Sequence, residues 1–154
     1  MRDFDKLLNF AEENSVPVKF ARLKGFARAA YDIMDNEVIL NMDFDKNDAK
    51  SVYVLAHELG HYIDFKNRGS KYVTAQIAAA TIMEYCMDSE MQVPPVVAET
   101  IRSSEKRAFV RGEELLEKLG IMYPKSLLKQ WKREELADYR EIFRGKIKWS
   151  KYTQ

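Results

Sequence analysis

Histidine occurs at only two positions in this chain, and both lie in one short segment, HELGH at 57–61. Residues four apart on an α-helix project from the same face, so His57 and His61 can each give a ring nitrogen to one metal ion. Glu58 follows the first histidine and can hold a water molecule beside that ion without being a ligand itself. The alternative is a chance pattern on an ordinary helix, but the motif is specific enough to predict a metal site, with zinc as the expected ion.

The HExxH spacing is the arrangement of zinc-dependent peptidases, in which zinc has three protein ligands and an open fourth position. The third ligand must therefore come from elsewhere in the chain. A third histidine six residues after the second is excluded, because that position holds Asn67 and the chain has no further histidine. Cys86 could bind zinc in principle, but a carboxylate from a separate helix fits this motif better.

A predicted helix over 96–119 offers one carboxylate on an otherwise apolar face. Steps of three and four residues define that face, which comprises Ala98, Ile101, Glu105, Ala108, Gly112, Leu115 and Leu119. A carboxylate in a buried stripe is costly unless a positive group meets it, and a zinc ion would supply that charge to Glu105. The small residues Ala108 and Gly112 would let this helix approach its neighbour closely. The alternative is that Glu105 pairs with a buried Arg or Lys, in which case Glu84 is the fallback ligand.

Asp64 lies three residues after His61, and two interpretations of it remain open. Ligating histidines usually donate their second ring N–H to an acceptor, so the Asp64 carboxylate could orient one imidazole. It could equally be a surface charge near the end of the helix.

The elements that must position these residues follow from hydrophobic periodicity, which predicts one α+β domain over 1–154 with helices dominant. Residues 1–45 are expected to form one helix, about 3–14, and a small sheet of about three strands, antiparallel or mixed. Val16, Val18 and Phe20 alternate as the first strand, Gly25 breaks the chain before a second run, and 38–42 returns antiparallel after a turn at Asp35-Asn36. Four further helices are predicted at 47–69 with Asn47 or Asp48 as the cap, at 72–90, at 96–119 and at 124–145.

Composition indicates a soluble globular chain of 154 residues, with 46% hydrophobic and 32% charged residues. The net charge of +1 gives no bias toward nucleic acid or membrane. The single cysteine, Cys86, fits a reducing compartment and is expected to be a small buried apolar residue. An acidic N-terminus does not look like a signal peptide, and the longest uncharged stretch, 72–83, is too short and too polar to span a bilayer. A cytosolic location is therefore expected.

With His57, Glu58, His61 and Glu105 assembled, the chain resembles the gluzincin-type zinc metallopeptidases, and most of all the ImmA/IrrE family of phages, mobile elements and bacterial stress regulation. The resemblance covers the order of elements from about residue 5 to 120. Its specific part is HELGH together with the segment EKRA at 105–108, which is similar to the family's ligand helix. It implies a mostly helical zincin-like domain, with His57, His61 and Glu105 as zinc ligands and Glu58 as catalytic base.

The function that this resemblance implies is zinc-dependent endopeptidase activity on a specific protein, such as a phage or mobile-element repressor. Two alternatives stay open: a zinc-stabilised binding module that does not cut, and a phage-encoded processing or toxin peptidase with another target. Tyr53, Tyr62, Tyr139 and several arginines are candidate donors to the oxyanion. The strand at 38–42 is expected at the edge of the sheet, where an extended substrate could pair with it.

The segment 124–154 is basic, with nine Lys or Arg against four Asp or Glu, and it contains Trp131, Trp149 and Tyr152. Such a segment can bind nucleic acid or an acidic partner. The favoured interpretation is an amphipathic helix with solvated lysines. Its expected core-facing residues are Leu128, Trp131, Ile142 and Phe143.

Overall fold

Five helices and three strands make up the part of the chain that the computed structural model describes, residues 1–23 and 28–145. In order they are α1 Asp3–Glu13, β1 Val18–Ala21, β2 Ala29–Asp32, β3 Glu37–Asn41, α2 Ala49–Lys66, α3 Ser70–Asp88, α4 Pro95–Lys118 and α5 Lys125–Phe143. The predicted α+β class, with a small mixed sheet near the N-terminus, is confirmed. The predicted break at Gly25 and the end of the basic segment, with Trp149 and Tyr152, lie outside the described residues.

The helix boundaries follow local signals in the sequence. Asp48, one of the two predicted caps, accepts a hydrogen bond from the backbone N–H of Lys50 at 3.3 Å and begins α2. Pro95 is the first residue of α4, where its missing N–H costs no helical hydrogen bond. Gly120 follows the end of α4 with a φ of 71°, a left-handed conformation that glycine adopts without strain.

The sheet has the strand order β1-β3-β2, so the expectation that 38–42 forms its edge is wrong. β3 pairs in parallel with β1 and antiparallel with β2, which leaves β2 as an edge strand. The physical reason is the burial of β3. Val38 and Leu40 are fully buried, whereas every residue of β2 is half-exposed, so the more apolar strand takes the centre.

The predicted alternation of Val16, Val18 and Phe20 on one strand is also corrected. Val16 belongs to the turn after α1, where its N–H bonds to the carbonyl of Ala11 at 2.8 Å. The strand itself begins only at Val18, and β1 is the other outer strand of the sheet. Phe20 is consequently 52% exposed rather than directed into the core.

The centre of the molecule is the contact between α2 and α4. Of the predicted stripe on α4, all residues are buried except Leu119, which is half-buried. Two glycines bring the helices together without intervening side chains. A Cβ on Gly112 would lie 2.7 Å from the carbonyl oxygen of Ala56, and a Cβ on Gly60 would overlap the carbonyl group of Ala108. The backbones of α2 and α4 are therefore in direct contact.

A second apolar cluster joins α3 to α4 and α5. It consists of Ala79, Cys86, Met87, Val93, Val97, Ala98, Ile101, Ile142 and Phe143. Cys86 is 4% exposed, which confirms the prediction of a small buried apolar residue. Trp131, Ile142 and Phe143 are buried and Leu128 is half-buried, as predicted for α5.

α3 buries only four of its 19 residues, Gln76, Ala79, Cys86 and Met87. It contains the uncharged stretch at 72–83. Within the described residues, no helix has both the length and the apolar character needed to cross a bilayer.

Gly112→Ala tests the close approach of α2 and α4. Alanine ordinarily stabilises a helix interior relative to glycine. Here the added Cβ would meet backbone atoms of Ala56 and His57, so we expect the free energy of unfolding to fall by about 1–3 kcal/mol. Urea denaturation measures the change.

The matched control is Gly69→Ala. Its Cβ would meet nothing within 4 Å, and the φ of Gly69, −78°, suits any residue. A smaller loss than for Gly112→Ala is expected, about 0.5–1 kcal/mol, because alanine is a poorer N-cap residue than glycine but its Cβ meets no neighbour here. A Gly112→Ala protein as stable as the parent would contradict the packing described above.

Candidate metal centre

His57, Glu58 and His61 lie on the most enclosed part of α2. The helix is buried continuously from Ser51 to Tyr62, because it runs between α4, α1 and β2. The two imidazoles are 8% and 7% exposed, their ring centroids are 4.8 Å apart, and Glu58 is 8% exposed. Three polar side chains are thus held inside the molecule, and each needs a hydrogen-bonding or charged partner to offset its loss of hydration.

Glu105 reaches both histidines from α4. Its Oε2 atom lies 2.8 Å from His57 Nε2, and its Oε1 atom lies 3.3 Å from His61 Nε2. The three residues form a group whose ligating atoms all lie within 4.8 Å of one another. Among the described residues, the hydrogen-bond partners of Glu105 are the two imidazoles and a tyrosine hydroxyl, so the alternative pairing with Arg or Lys does not occur.

These separations fit a metal ion. Two ligands at 2.0–2.1 Å from a tetrahedral zinc ion lie about 3.3 Å apart, which the Glu105–His61 separation matches. The Glu105–His57 separation of 2.8 Å is a hydrogen bond and would open by about 0.5 Å around an ion. Two imidazole nitrogens and one carboxylate also form the donor set of catalytic zinc sites. Glu84, the fallback ligand, is exposed on α3 and lies outside this group.

The negative charge of Glu105 and the positive charge of a protonated imidazole stabilise each other. Burial alone would raise the pKa of Glu105, but the two imidazoles outweigh burial and hold that pKa well below its usual range. Burial would lower the pKa of His61, but the Glu105 carboxylate outweighs it and raises the pKa to about 9. Glu105 therefore stays ionised, as a metal ligand must, and a metal ion would displace a proton from His61.

Glu58 has a different electrostatic environment. Burial raises the pKa of its carboxyl group, and the neighbouring imidazoles only partly oppose that effect. Its side chain lines the same cavity as the three residues above but makes no hydrogen bond to a described residue. Glu58 is therefore available to exchange a proton with a molecule in the cavity.

Asp64 fits neither of its two predicted roles. Its side chain is 1% exposed, so it is not a surface charge. It accepts hydrogen bonds from Nε of Arg68 at 3.1 Å, from Nε of Arg107 at 3.2 Å and from the hydroxyl of Tyr72 at 3.2 Å. Its position on the helix directs it toward α3 and α4, and its two guanidinium partners compensate its buried charge.

Aromatic rings orient the imidazoles instead. Phe109 stacks on His57 with ring centroids 3.9 Å apart, and Phe65 stacks on His61 at 5.7 Å. The Nδ1 atoms of both histidines are buried and have no hydrogen-bond partner among the described residues. Sequence reasoning missed these rings, although each lies one helical turn beyond a predicted ligand: Phe65 after His61, and Phe109 after Glu105.

Of the three tyrosines predicted as donors, only Tyr139 contacts the ligand group. Its hydroxyl donates to Glu105 Oε1 at 3.1 Å. The hydroxyl of Tyr53 donates to Glu113, and that of Tyr62 donates to Asn14. Burial, together with the nearby carboxylates, raises the pKa of Tyr139 well above its ordinary value, so its hydroxyl stays protonated.

The group opens into a cavity of about 370 Å³. Residues of β2, α3, α4 and α5 complete its walls. A volume of this size accommodates a ligand or several side chains of a peptide.

A second acidic group, Asp32, Asp35 and Glu37, lies at the turn between β2 and β3. The Asp32 carboxylate accepts the backbone N–H groups of Met34 and Asp35, and Glu37 pairs with Lys19 at 2.6 Å. These contacts account for the group as part of the hairpin.

Comparisons with models of protein families, with curated proteins and with solved structures give no match to this chain. The functional interpretation therefore depends on the residues of the site.

Glu105→Ala tests the predicted third ligand. Loss of an anionic ligand should lower the affinity for Zn²⁺ by at least about 100-fold, beyond the 10–100-fold typical of residues that only support a ligand. Competition with a chromophoric chelator measures the affinity, and circular dichroism monitors the fold.

Glu117→Ala is the control, since Glu117 is exposed on the same helix. It should bind Zn²⁺ like the parent. Undiminished affinity of Glu105→Ala would exclude Glu105 as a ligand, whereas global unfolding of that variant would favour a purely structural metal site.

Proposed function

We propose that this protein is a zinc-dependent endopeptidase with His57, His61 and Glu105 as the zinc ligands. The observation that carries the proposal is the convergence of two imidazole nitrogens and a carboxylate within 4.8 Å, beside a buried glutamate that ligates nothing. When bound, zinc lowers the pKa of a coordinated water to about 7 and polarises a substrate carbonyl. A purely structural site has no use for a free carboxylate next to its ligands.

Glu58 is the proposed general base. Its carboxylate is not engaged in a hydrogen bond to any described residue, and it faces the cavity in which the substrate would lie. Burial raises its pKa, which makes it a better proton acceptor than an ordinary glutamate. In this role Glu58 takes a proton from the attacking water and later delivers it to the leaving amine.

Tyr139 is the proposed hydrogen-bond donor to the oxyanion that develops on the scissile carbonyl. It lines the cavity, its hydroxyl already lies against the ligand group, and its raised pKa keeps the proton on the oxygen. Its single O–H donates to Glu105 Oε1 in this structure, so in this role it would turn from that carboxylate to the oxyanion as the charge develops.

The substrate would lie along β2, which replaces β3 as the strand available for pairing. β2 is an edge strand, and Ala29, Ala30 and Tyr31 line the cavity. An extended substrate segment can add to such an edge through main-chain hydrogen bonds. In keeping with the family resemblance, we propose a specific cytosolic protein as the target, such as a phage or mobile-element repressor.

Glu58→Gln separates zinc binding from hydrolysis. Glutamine keeps the shape of the side chain but cannot accept the proton, so the cleavage rate should fall by about 10²–10⁴-fold. Affinity for Zn²⁺ should remain within a few-fold of the parent. Mass analysis of fragments, after incubation with proteins encoded by neighbouring genes, measures cleavage.

Glu117→Gln provides the matched control, because it makes the same substitution at an exposed position of α4. It should cut at the rate of the parent. Full activity of the Glu58→Gln protein would remove Glu58 from the proposed mechanism.

A further inference from the structure

One stripe of α3 faces the same cavity as the metal centre. Gln76, Ala80, Met83 and Met87 follow one another at steps of four, three and four residues, and all of them line the cavity. The edge strand β2 lines it as well. α3 and β2 thus supply two walls of a cleft that leads to His57, His61 and Glu105.

Gln76 is the polar member of this stripe. It is 7% exposed, and its side chain makes no hydrogen bond to any described residue. A carboxamide has two N–H donors and a carbonyl acceptor, and burying them without partners is unfavourable. The polar atoms of Gln76 are not among the fully enclosed, unpaired side-chain atoms of the described residues, so they are reached from the cavity that Gln76 lines.

The rest of the stripe is apolar. Ala80, Met83 and Met87 on α3, together with Ile101 on α4, line the cavity beyond Gln76, and the exposed Glu84 of α3 lines it beside them. Methionine side chains are flexible and adapt to different apolar partners. From Gln76 to Met87 the helix rises by roughly 16 Å, which is the length of about five residues of extended chain.

We infer that α3 is the recognition wall of a peptide-binding cleft. In it the Gln76 carboxamide hydrogen-bonds the main chain of an extended substrate segment, and Ala80, Met83 and Ile101 receive an apolar side chain of that segment. The N–H and C=O groups of a carboxamide match those of a peptide unit, as the free edge of β2 does. The inference rests on the proposed function in taking the ligand to be a peptide.

The test uses full-length, zinc-loaded Glu58→Gln protein, so that binding is measured without turnover. The probe is a synthetic library of acetylated and amidated decapeptides with randomised sequences. Retained peptides are identified by mass spectrometry, and the affinities of the best ones are measured by fluorescence anisotropy. We expect retained peptides to share an aliphatic residue at one position.

Gln76→Met, added to this protein, removes the hydrogen-bonding groups and keeps the length of the side chain. It should weaken binding of the retained peptides by about 10-fold, the usual effect of losing one buried hydrogen bond. Gln92→Met is the control, because Gln92 is exposed outside the cavity, and it should not change binding.

Met83→Glu is a second, independent variant that does not depend on the stability of the Gln76 variant. Met83 is half-buried, so a carboxylate is tolerated at the wall. The retained peptides should then carry lysine or arginine where the parent selects an aliphatic residue.

The outcomes separate this inference from the proposed function. Failure to retain any peptide, or retention unchanged by both Gln76→Met and Met83→Glu, would overturn the inference. Retention with the expected dependence, but without cleavage by the parent protein, would uphold the inference and overturn the proposed function. Cleavage of the retained peptides by the parent would support both.

Discussion

The direct backbone contact between α2 and α4 is the constraint on which the rest of the structure depends. Gly60 and Gly112 lie where a Cβ would collide with the opposite helix. Only at this short separation can the three rotatable bonds of the Glu105 side chain bring its carboxylate to both imidazoles. A wider spacing would leave two histidines and a glutamate buried without partners, at a large cost in free energy. Gly60 lies inside the HELGH segment, so the same five residues provide two of the proposed ligands and the contact that brings Glu105 to them.

An ionic cluster around the buried Asp64 carboxylate fixes the position of the two helices along their length. Asp64, one turn beyond His61, meets Arg107, which lies two residues beyond Glu105, and Tyr72 of α3 hydrogen-bonds to both. The Arg107 guanidinium also stacks over the Tyr72 ring, 5.2 Å from its centroid. The glycines set how far apart α2 and α4 lie, and this cluster sets which residues face each other. Because Asp64 is almost fully buried, a shift of either helix would separate a buried charge from its partners.

The sequence predicted those features of the site that depend only on residue spacing within one helix. The spacing of the histidines, and the single carboxylate in the stripe from Ala98 to Leu119, are properties of isolated helices, and the structure brings these residues together. The strand order and the role of Asp64 depend instead on which element packs against which. Arg107 is 43 residues from Asp64 in the chain, and no local pattern links the two. Likewise, periodicity indicates that 37–41 is a strand but not that β1 and β2 enclose it.

The proposed metal ligands and the proposed recognition wall lie on parts of the molecule with different constraints. Every proposed ligand lies on α2 or α4, whose mutual position is fixed by backbone contact and by paired buried charges. α3 buries only four of its 19 residues and leaves Ile82 and Tyr85 exposed on its outer side. In its cavity-facing stripe, Met87 belongs to the second apolar cluster and Met83 packs against it. Ala80 is exposed and Gln76 makes no hydrogen bond to a described residue, so substitutions at these two positions break no hydrogen bond. Glu105 is held from α2 and α5 rather than from α3, so residues of the proposed cleft wall can change while the positions of His57, His61 and Glu105 stay the same. If the proposed function holds, a site with this division can acquire new substrates without rebuilding its proposed catalytic centre.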